Sequence, residues 1–153
     1  MAIDRVREYF KKLSKDKDIL EFDHSSATVS DAALAIGCDE GHIAKTLSFW
    51  VSGRPILIVV AGNKKIDNSK FKAEFNCKAK MISSEELEMV IGHSAGGVCP
   101  FGVNDGVEVY LDLSLKDYSY VYPACGSSNS AIKLAISELE KYSNYIKWVD
   151  VSK

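Results

Sequence analysis

Residues 45–61 constrain the fold of this chain more than any other stretch. Lys45 to Val51 alternates, with Leu47, Phe49 and Val51 on one side and Thr46, Ser48 and Trp50 on the other, which is the period of a β-strand. Ser52-Gly53-Arg54-Pro55 reads as a hairpin turn. Ile56 to Ala61 is an unbroken apolar run, the pattern of a central strand buried on both faces. Two strands joined by a hairpin run antiparallel, so the rest of the chain has to be arranged around this pair.

Helical signals flank it. Ile3, Val6, Phe10 and Leu13 recur at helical spacing among charged residues, which predicts an amphipathic opening helix. Ile19 to Phe22 is a short strand candidate. Thr28 with Asp31 resembles a capping box and Gly37 a C′ residue, so a helix is expected over Val29 to Ile36. Asp67 can cap a helix carrying Phe71 and Phe75. Ala79 to Ile82 reads as a strand, and Ser83 with Glu86 as a second capping box for a helix ending at Gly92. Strands are expected at Val107 to Leu111, Ser119 to Tyr122 and Ile146 to Val149. Strands and helices interleave without a regular βαβ series. The fold class is therefore α/β of the α+β type, with a mixed or largely antiparallel sheet and peripheral helices.

The chain's 153 residues are one domain's worth, and 1–153 is read as a single domain. No apolar run approaches the ~20 residues needed to span a bilayer, and Met1 to Arg5 lacks the apolar core of a signal peptide. The expectation is a cytoplasmic protein with no membrane contact. Cys38, Cys77, Cys99 and Cys125 are scattered and read as reduced thiols. The histidines, His24, His42 and His93, form no metal-binding signature, so neither metal nor cofactor is expected. The net charge of −2 argues against a protein that grips nucleic acid chiefly through phosphates. Any such contact must be local, brief or assisted by a partner.

A few residues could carry chemistry. Lys45 shares a face with Leu47, Phe49 and Val51, so its ammonium is either aimed at a carbonyl or developing oxyanion, or snorkels to solvent at a strand end. The loop from Gly92 to Gly102 is rich in glycine and can present N–H groups to a ligand, or simply turn the chain. Ala124 to Ser130 is a second small, polar loop. Asp112 ends a strand and could hold a lysine or a loop amide, or be solvated. Cys99 or Cys125, beside a histidine such as His93, would be the nucleophile of a thiol hydrolase. Lys64, Lys65, Lys70, Lys72, Lys78 and Lys80 form one basic neighbourhood, able to meet phosphates or to stay solvated.

Ala33-Leu34-Ala35-Ile36-Gly37, Ile43-Ala44-Lys45-Thr46-Leu47-Ser48-Phe49, Ile58-Val59-Val60-Ala61-Gly62-Asn63, Gly96-Gly97-Val98-Cys99-Pro100-Phe101-Gly102, Val109-Tyr110-Leu111-Asp112 and Ala124-Cys125-Gly126 occur in that order. Together they resemble the YbaK/prolyl-tRNA-synthetase editing-domain family over about Phe22 to Leu139. The resemblance implies a pseudo-barrel mixed sheet. It also implies hydrolysis of the ester between a wrong amino acid and the 3′-terminal adenosine of tRNA, with aminoacyl-tRNA as partner and an aminoacyl-tRNA synthetase as a second one. Lys45 takes the place of the family's functional lysine. Thr46, Gly96, Gly97, Phe101, Gly102, Asp112, Cys125, Gly126 and Ser127 take the substrate-binding positions. An aminoacyl ester is already activated, so positioning, a water and oxyanion stabilisation suffice, with Lys45 as a charged anchor more than a general base. The 126–131 segment departs from the arginine, acidic and histidine patterns of the known branches, which leaves Ala, Ser, Thr, Cys or a non-protein amino acid as the residue removed. It also keeps a non-catalytic binding module as the alternative. The tail admits either one helix through Ala131 to Leu139 or a strand at Ala131 to Leu134 feeding a helix from Ile136 to Tyr142. The resemblance favours the second.

Overall fold

The computed structural model describes residues 2–153. The chain opens with α1 (Ala2–Lys11), whose Val6 and Phe10 are fully buried, and a 3-10 turn leads into β1 (Ile19–Glu21). Helix α2 (Val29–Ile36) starts where the Thr28 hydroxyl accepts the Asp31 N–H at 3.0 Å. It stops at Gly37, which takes a φ of +83° and donates to the Ala33 carbonyl. Both caps are those the sequence predicts.

Strands β2 (Ile43–Val51) and β3 (Arg54–Ala61) form the expected hairpin, paired from Ala44↔Ala61 to Val51↔Arg54. Ser52 and Gly53 both have positive φ, the two-residue turn whose twist matches the strands it joins. Then come α3 (Asn68–Phe75), capped by Asp67 through the Lys70 N–H, and α4 (Ser84–Val90). After them lie β4 (Glu108–Asp112), β5 (Tyr120–Pro123), β6 (Ser130–Ile132), β7 (Leu134–Ala135), α5 (Ile136–Ser143) and β8 (Lys147–Val149).

Six strands form one curled half-barrel sheet in the order β7-β5-β2-β3-β4-β8. It is mixed: β2·β3 and β5·β7 are antiparallel, while β2·β5, β3·β4 and β4·β8 are parallel. β1 and β6 make a separate antiparallel ribbon. β3 lies at the centre, and Leu57 to Ala61 have no solvent exposure. Leu57 and Val59 pack with Val6, Phe10 and Leu139, whereas Ile58 and Val60 pack with Phe49 and Phe71. An apolar run without alternation is thus explained by two cores, one on each face of the sheet.

Two local expectations fail. Ala79 to Ile82 is not a strand but meets β2 at a single bridge, Phe49↔Met81. It is held there by the Trp50 N–H on the Lys80 carbonyl (2.9 Å) and the Ile82 N–H on the Ser48 carbonyl (3.1 Å), before α4 carries the chain away. The Ser83 hydroxyl bonds to the Glu86 side chain at 2.9 Å and does not cap the α4 backbone.

Candidate functional site

The outer edge of β2 is only partly covered. β5 pairs with it at Ile43 and Ala44, and the 80–82 segment rejoins it at Ser48 to Trp50. In an antiparallel pair, alternate residues direct their main-chain groups to the partner strand. A two-residue turn makes Val51↔Arg54 a hydrogen-bonded pair, so residues 45, 47, 49 and 51 face β3 and residues 44, 46, 48 and 50 face outward. The outward bonds of Trp50 and Ser48 agree with this parity. Thr46 therefore presents its N–H and C=O to the gap between the two partners.

That gap opens into a cavity of about 430 Å³. Lys45 to Ser48 form its floor, and Thr28, Val29 and Ala32 bring the start of α2 to one wall. Ala95, Gly96 and Val98 supply the glycine-loop wall, Tyr122, Ala124, Ser130 and Ala131 a third, and Met81 and Leu87 a fourth. The surroundings are mostly alanine and other apolar side chains, with a few hydroxyls, a common make-up for small-molecule sites.

Lys45 is half-buried at the cavity's edge, and its ammonium donates to the Lys64 carbonyl. Burial pulls its pKa below the ordinary lysine value, the Lys65 charge adds to that, and Glu40 opposes it. As the alternation predicts, its strand-face companions Leu47, Phe49 and Val51 pack into the α3-side core. Thr46 points to the other face, and its Oγ1 is buried without a hydrogen-bond partner among the described residues.

The glycine loop and the 124–130 loop interlock behind the wall. The Gly126 N–H donates to the Gly97 carbonyl at 3.0 Å. A Cβ on Gly97 would lie 2.6 Å from the Gly126 carbonyl carbon and 2.6 Å from the Ser127 nitrogen. Gly96 has a φ of +89° and abuts Ala27 and Ser128. The Ser26 N–H donates to the Ser128 carbonyl at 2.6 Å, which ties the approach to α2 into the same wall. Ser127 is hydrogen-bonded to Asn129 Oδ1 (2.9 Å) and to Ser130 Oγ (2.7 Å), so it positions the one serine of this loop that lines the cavity.

Of the residues singled out from sequence, Lys45, Thr46 and Gly96 line the cavity, while Gly97, Gly126 and Ser127 build the wall behind it. Phe101, Gly102, Asp112 and Cys125 lie elsewhere. After Val98 the loop dives beneath α1: Phe101 is fully buried with its ring 4.7 Å from that of Phe10, and Gly102 packs against Arg5. Asp112 is buried and accepts from the Ser114 N–H (2.9 Å), the Val151 N–H (2.9 Å) and the Ser152 hydroxyl (2.6 Å), anchoring the C-terminal segment. Cys125 is a buried core side chain whose pKa burial raises.

A thiol nucleophile has no support here. Burial pushes Cys99 up to about 12, so it carries no thiolate at neutral pH, and neither Cys99 nor Cys125 lines the cavity. Burial, with the Arg5 charge adding to it, pulls His93 down to about 4, and its Nδ1 accepts the Cys99 N–H at 3.4 Å. Sequence reasoning missed Ser26, Val29, Ala32, Met81 and Tyr122, all of which face the cavity, whereas Ser130 belongs to the polar loop it singled out. Thr28 was legible as a cap, but nothing in its spacing tells that the capped end faces a pocket.

The profile of a family described as the aminoacyl-tRNA editing domain matches residues 23–142. The uncharacterised protein YwhH of Bacillus subtilis (strain 168) is 49% identical over 154 residues, covering 100% of this chain and 98% of the relative. The proline--tRNA ligase of Shouchella clausii (strain KSM-K16) is 32% identical over 104 residues, 67% of this chain but 18% of the ligase. A solved structure of a candidate trans-editing enzyme for prolyl tRNA synthetase superposes with a TM-score of 0.89 at 25% identity, covering 99% of this chain and 97% of the other.

Proposed function

The chain belongs to the aminoacyl-tRNA editing domain family, and from that premise we propose that it is a deacylase that cleaves a small wrong amino acid from the 3′ end of tRNA. One observation carries the proposal: a single cavity gathers Lys45, the outward main chain of Thr46 and the glycine at position 96. In this reading the aminoacyl group lies along the open edge of β2, with its ester carbonyl among the N–H donors of that edge and of the glycine loop. The Lys45 ammonium supplies the positive charge toward which the oxyanion develops. Half-burial serves this role, because a charge removed from bulk water acts more strongly on a nearby dipole.

Hydrolysis of an activated ester needs water, a positioned carbonyl and a stabilised oxyanion, and no covalent intermediate. The hydroxyl of Thr46, whose Oγ1 has no hydrogen-bond partner among the described residues, and that of Ser130 are among the cavity groups able to hold the water or the substrate amine. Ala32, Ala44, Ala124 and Ala131 line the space with methyl groups, so the small side chain of this reading would meet an apolar wall. A non-catalytic binding module is the second reading, favoured by the bond that engages the Lys45 ammonium with the Lys64 carbonyl.

Incubation with a panel of mischarged tRNAs, read as loss of the ester, separates the possibilities. The deacylase reading expects turnover on at least one tRNA, a fall of about 10²- to 10³-fold in Lys45→Ala, and activity retained in Cys99→Ser and Cys125→Ser. Retention of charged tRNA without turnover would make the chain a binding module.

A further inference from the structure

The basic neighbourhood seen in the sequence takes a definite position in the fold. Met81 is 58% exposed and lines the cavity together with two shallow depressions beside it. One depression holds Lys65 with Lys45, and the other holds Lys78, Lys80 and Trp50. A third, sharing Lys78 with one and Asn68 and Ala79 with the other, adds Lys72. The three depressions thus form one groove that starts at the cavity mouth. Its five lysines and one carboxylate, Glu86, give a formal +4, in a chain whose total is −2.

Some surface lysines have their charge balanced by a carboxylate, but those of the groove do not. Lys15, Lys70 and Lys147 each pair with a carboxylate. Among the described residues, none of Lys65, Lys72, Lys78 and Lys80 makes an ion pair. The depression beside α2 carries Asp39 and Glu40 instead. A polyanion whose end enters the cavity is therefore drawn to the Met81 side and repelled from the α2 side.

We propose that this groove, running from Lys65 past Met81 to Lys78 and Lys80, carries the phosphates of the unpaired 3′ end of the tRNA. The inference rests on the deacylase reading for what enters the cavity. Alternating apolar and cationic groups suit a single strand: Met81 and the half-buried Trp50 offer faces to the bases, and the lysines follow the backbone. This also resolves the acidic balance of the chain, because affinity for RNA is concentrated on one path instead of spread over the surface.

The test is fluorescence anisotropy with a labelled, uncharged RNA hairpin that ends in an unpaired 3′ strand, titrated at several salt concentrations. The proteins are wild type, the double variant Lys78→Gln/Lys80→Gln and the control Lys11→Gln/Lys12→Gln at the C-terminal end of α1. In parallel, hydrolysis of a charged tRNA is compared with that of the same amino acid esterified to adenosine alone. The groove variant is expected to bind the hairpin about tenfold more weakly at low salt. Its slope of log affinity against log salt should flatten by about 1.4, roughly 0.7 for each single-strand phosphate that a lysine no longer neutralises. Its kcat/KM should fall on charged tRNA and hold on aminoacyl-adenosine. Unchanged hairpin binding in the groove variant, equal weakening in the control, or no hairpin binding by wild type overturns the proposal. Because the hairpin is uncharged, its binding reads the groove even if the chain hydrolyses no ester, so failure of the deacylase reading shows separately.

Discussion

Replacing Gly97 by alanine tests the architecture of the wall more sharply than any change to the cavity floor. The new methyl carbon would lie 2.6 Å from two main-chain atoms of the facing loop and 2.8 Å from a third, the Ser127 Cα. Ordinary contact begins at 3.4 Å, so the loops must part by 0.8 Å, and neither neighbour is a flexible side chain that could swing away. Overpacking of this kind costs about 1–3 kcal/mol. A displacement approaching 1 Å near reacting groups is worth on the order of 10²-fold in rate. Gly97→Ala should therefore lower the urea midpoint by an amount corresponding to about 1–3 kcal/mol and reduce deacylation per folded molecule by about 10- to 100-fold. Gly106→Ala is the control. Its φ of +88° is strained for alanine, but nothing lies within 4 Å of the added carbon. It should lose about 1–2 kcal/mol and keep its rate. A Gly97→Ala protein with wild-type stability and turnover would refute the interlocked wall and, with it, the placement of the glycine loop at the site.

Lys45 has a folded pKa below that of an exposed lysine, so the unfolded chain holds the extra proton in the window between the lowered value and 10.5. Stability should rise with pH across that window and the rise should vanish in Lys45→Met, while turnover corrected for spontaneous hydrolysis falls on its alkaline side before pH 10.5. Asp112→Ala leaves three buried donors without an acceptor and should cost about 3 kcal/mol or more by urea denaturation, yet leave kcat per folded molecule unchanged, because Asp112 does not reach the cavity. His93, drawn from 6.5 to about 4 by burial, favours its neutral form in the folded state. Its contribution of about 3 kcal/mol should be complete above pH 6.5 and be lost as the pH falls toward 4, a loss that denaturation curves of His93→Leu should not show.

The hairpin was legible because its signals agree: alternation in β2, a glycine turn, and an apolar run in β3 that only a strand buried on both faces can accommodate. The caps of α2 and α3 were legible because a short polar side chain next to an apolar period has few other uses. The site was legible only in part. Position 45 in an alternating strand determines which face Lys45 takes, and a glycine determines where backbone can approach closely. Neither says where a loop turns next, so sequence proximity groups Phe101 and Gly102 with Gly96 although the chain passes under α1 between them. Asp112 ends a strand, and the resemblance alone puts it among the substrate-binding residues. Its three donors come from residues close to it and from the far end of the sequence, and such long-range partners leave no local pattern. Ala79 to Ile82 has strand-like composition but lies between two helices, and tertiary contact left it one bridge.

The interrupted pairing along β2 has a consequence for selectivity. A bare strand edge recognises the peptide-like skeleton of whatever adds to it and is indifferent to the side chain attached. An α-amino group followed by a carbonyl repeats that skeleton for every amino acid alike. In the proposed deacylase, choice among amino acids then falls to the methyl groups at positions 32 and 131 and the ring of Tyr122, and enlarging or shaving those should change which residue is removed without changing how its ester is gripped.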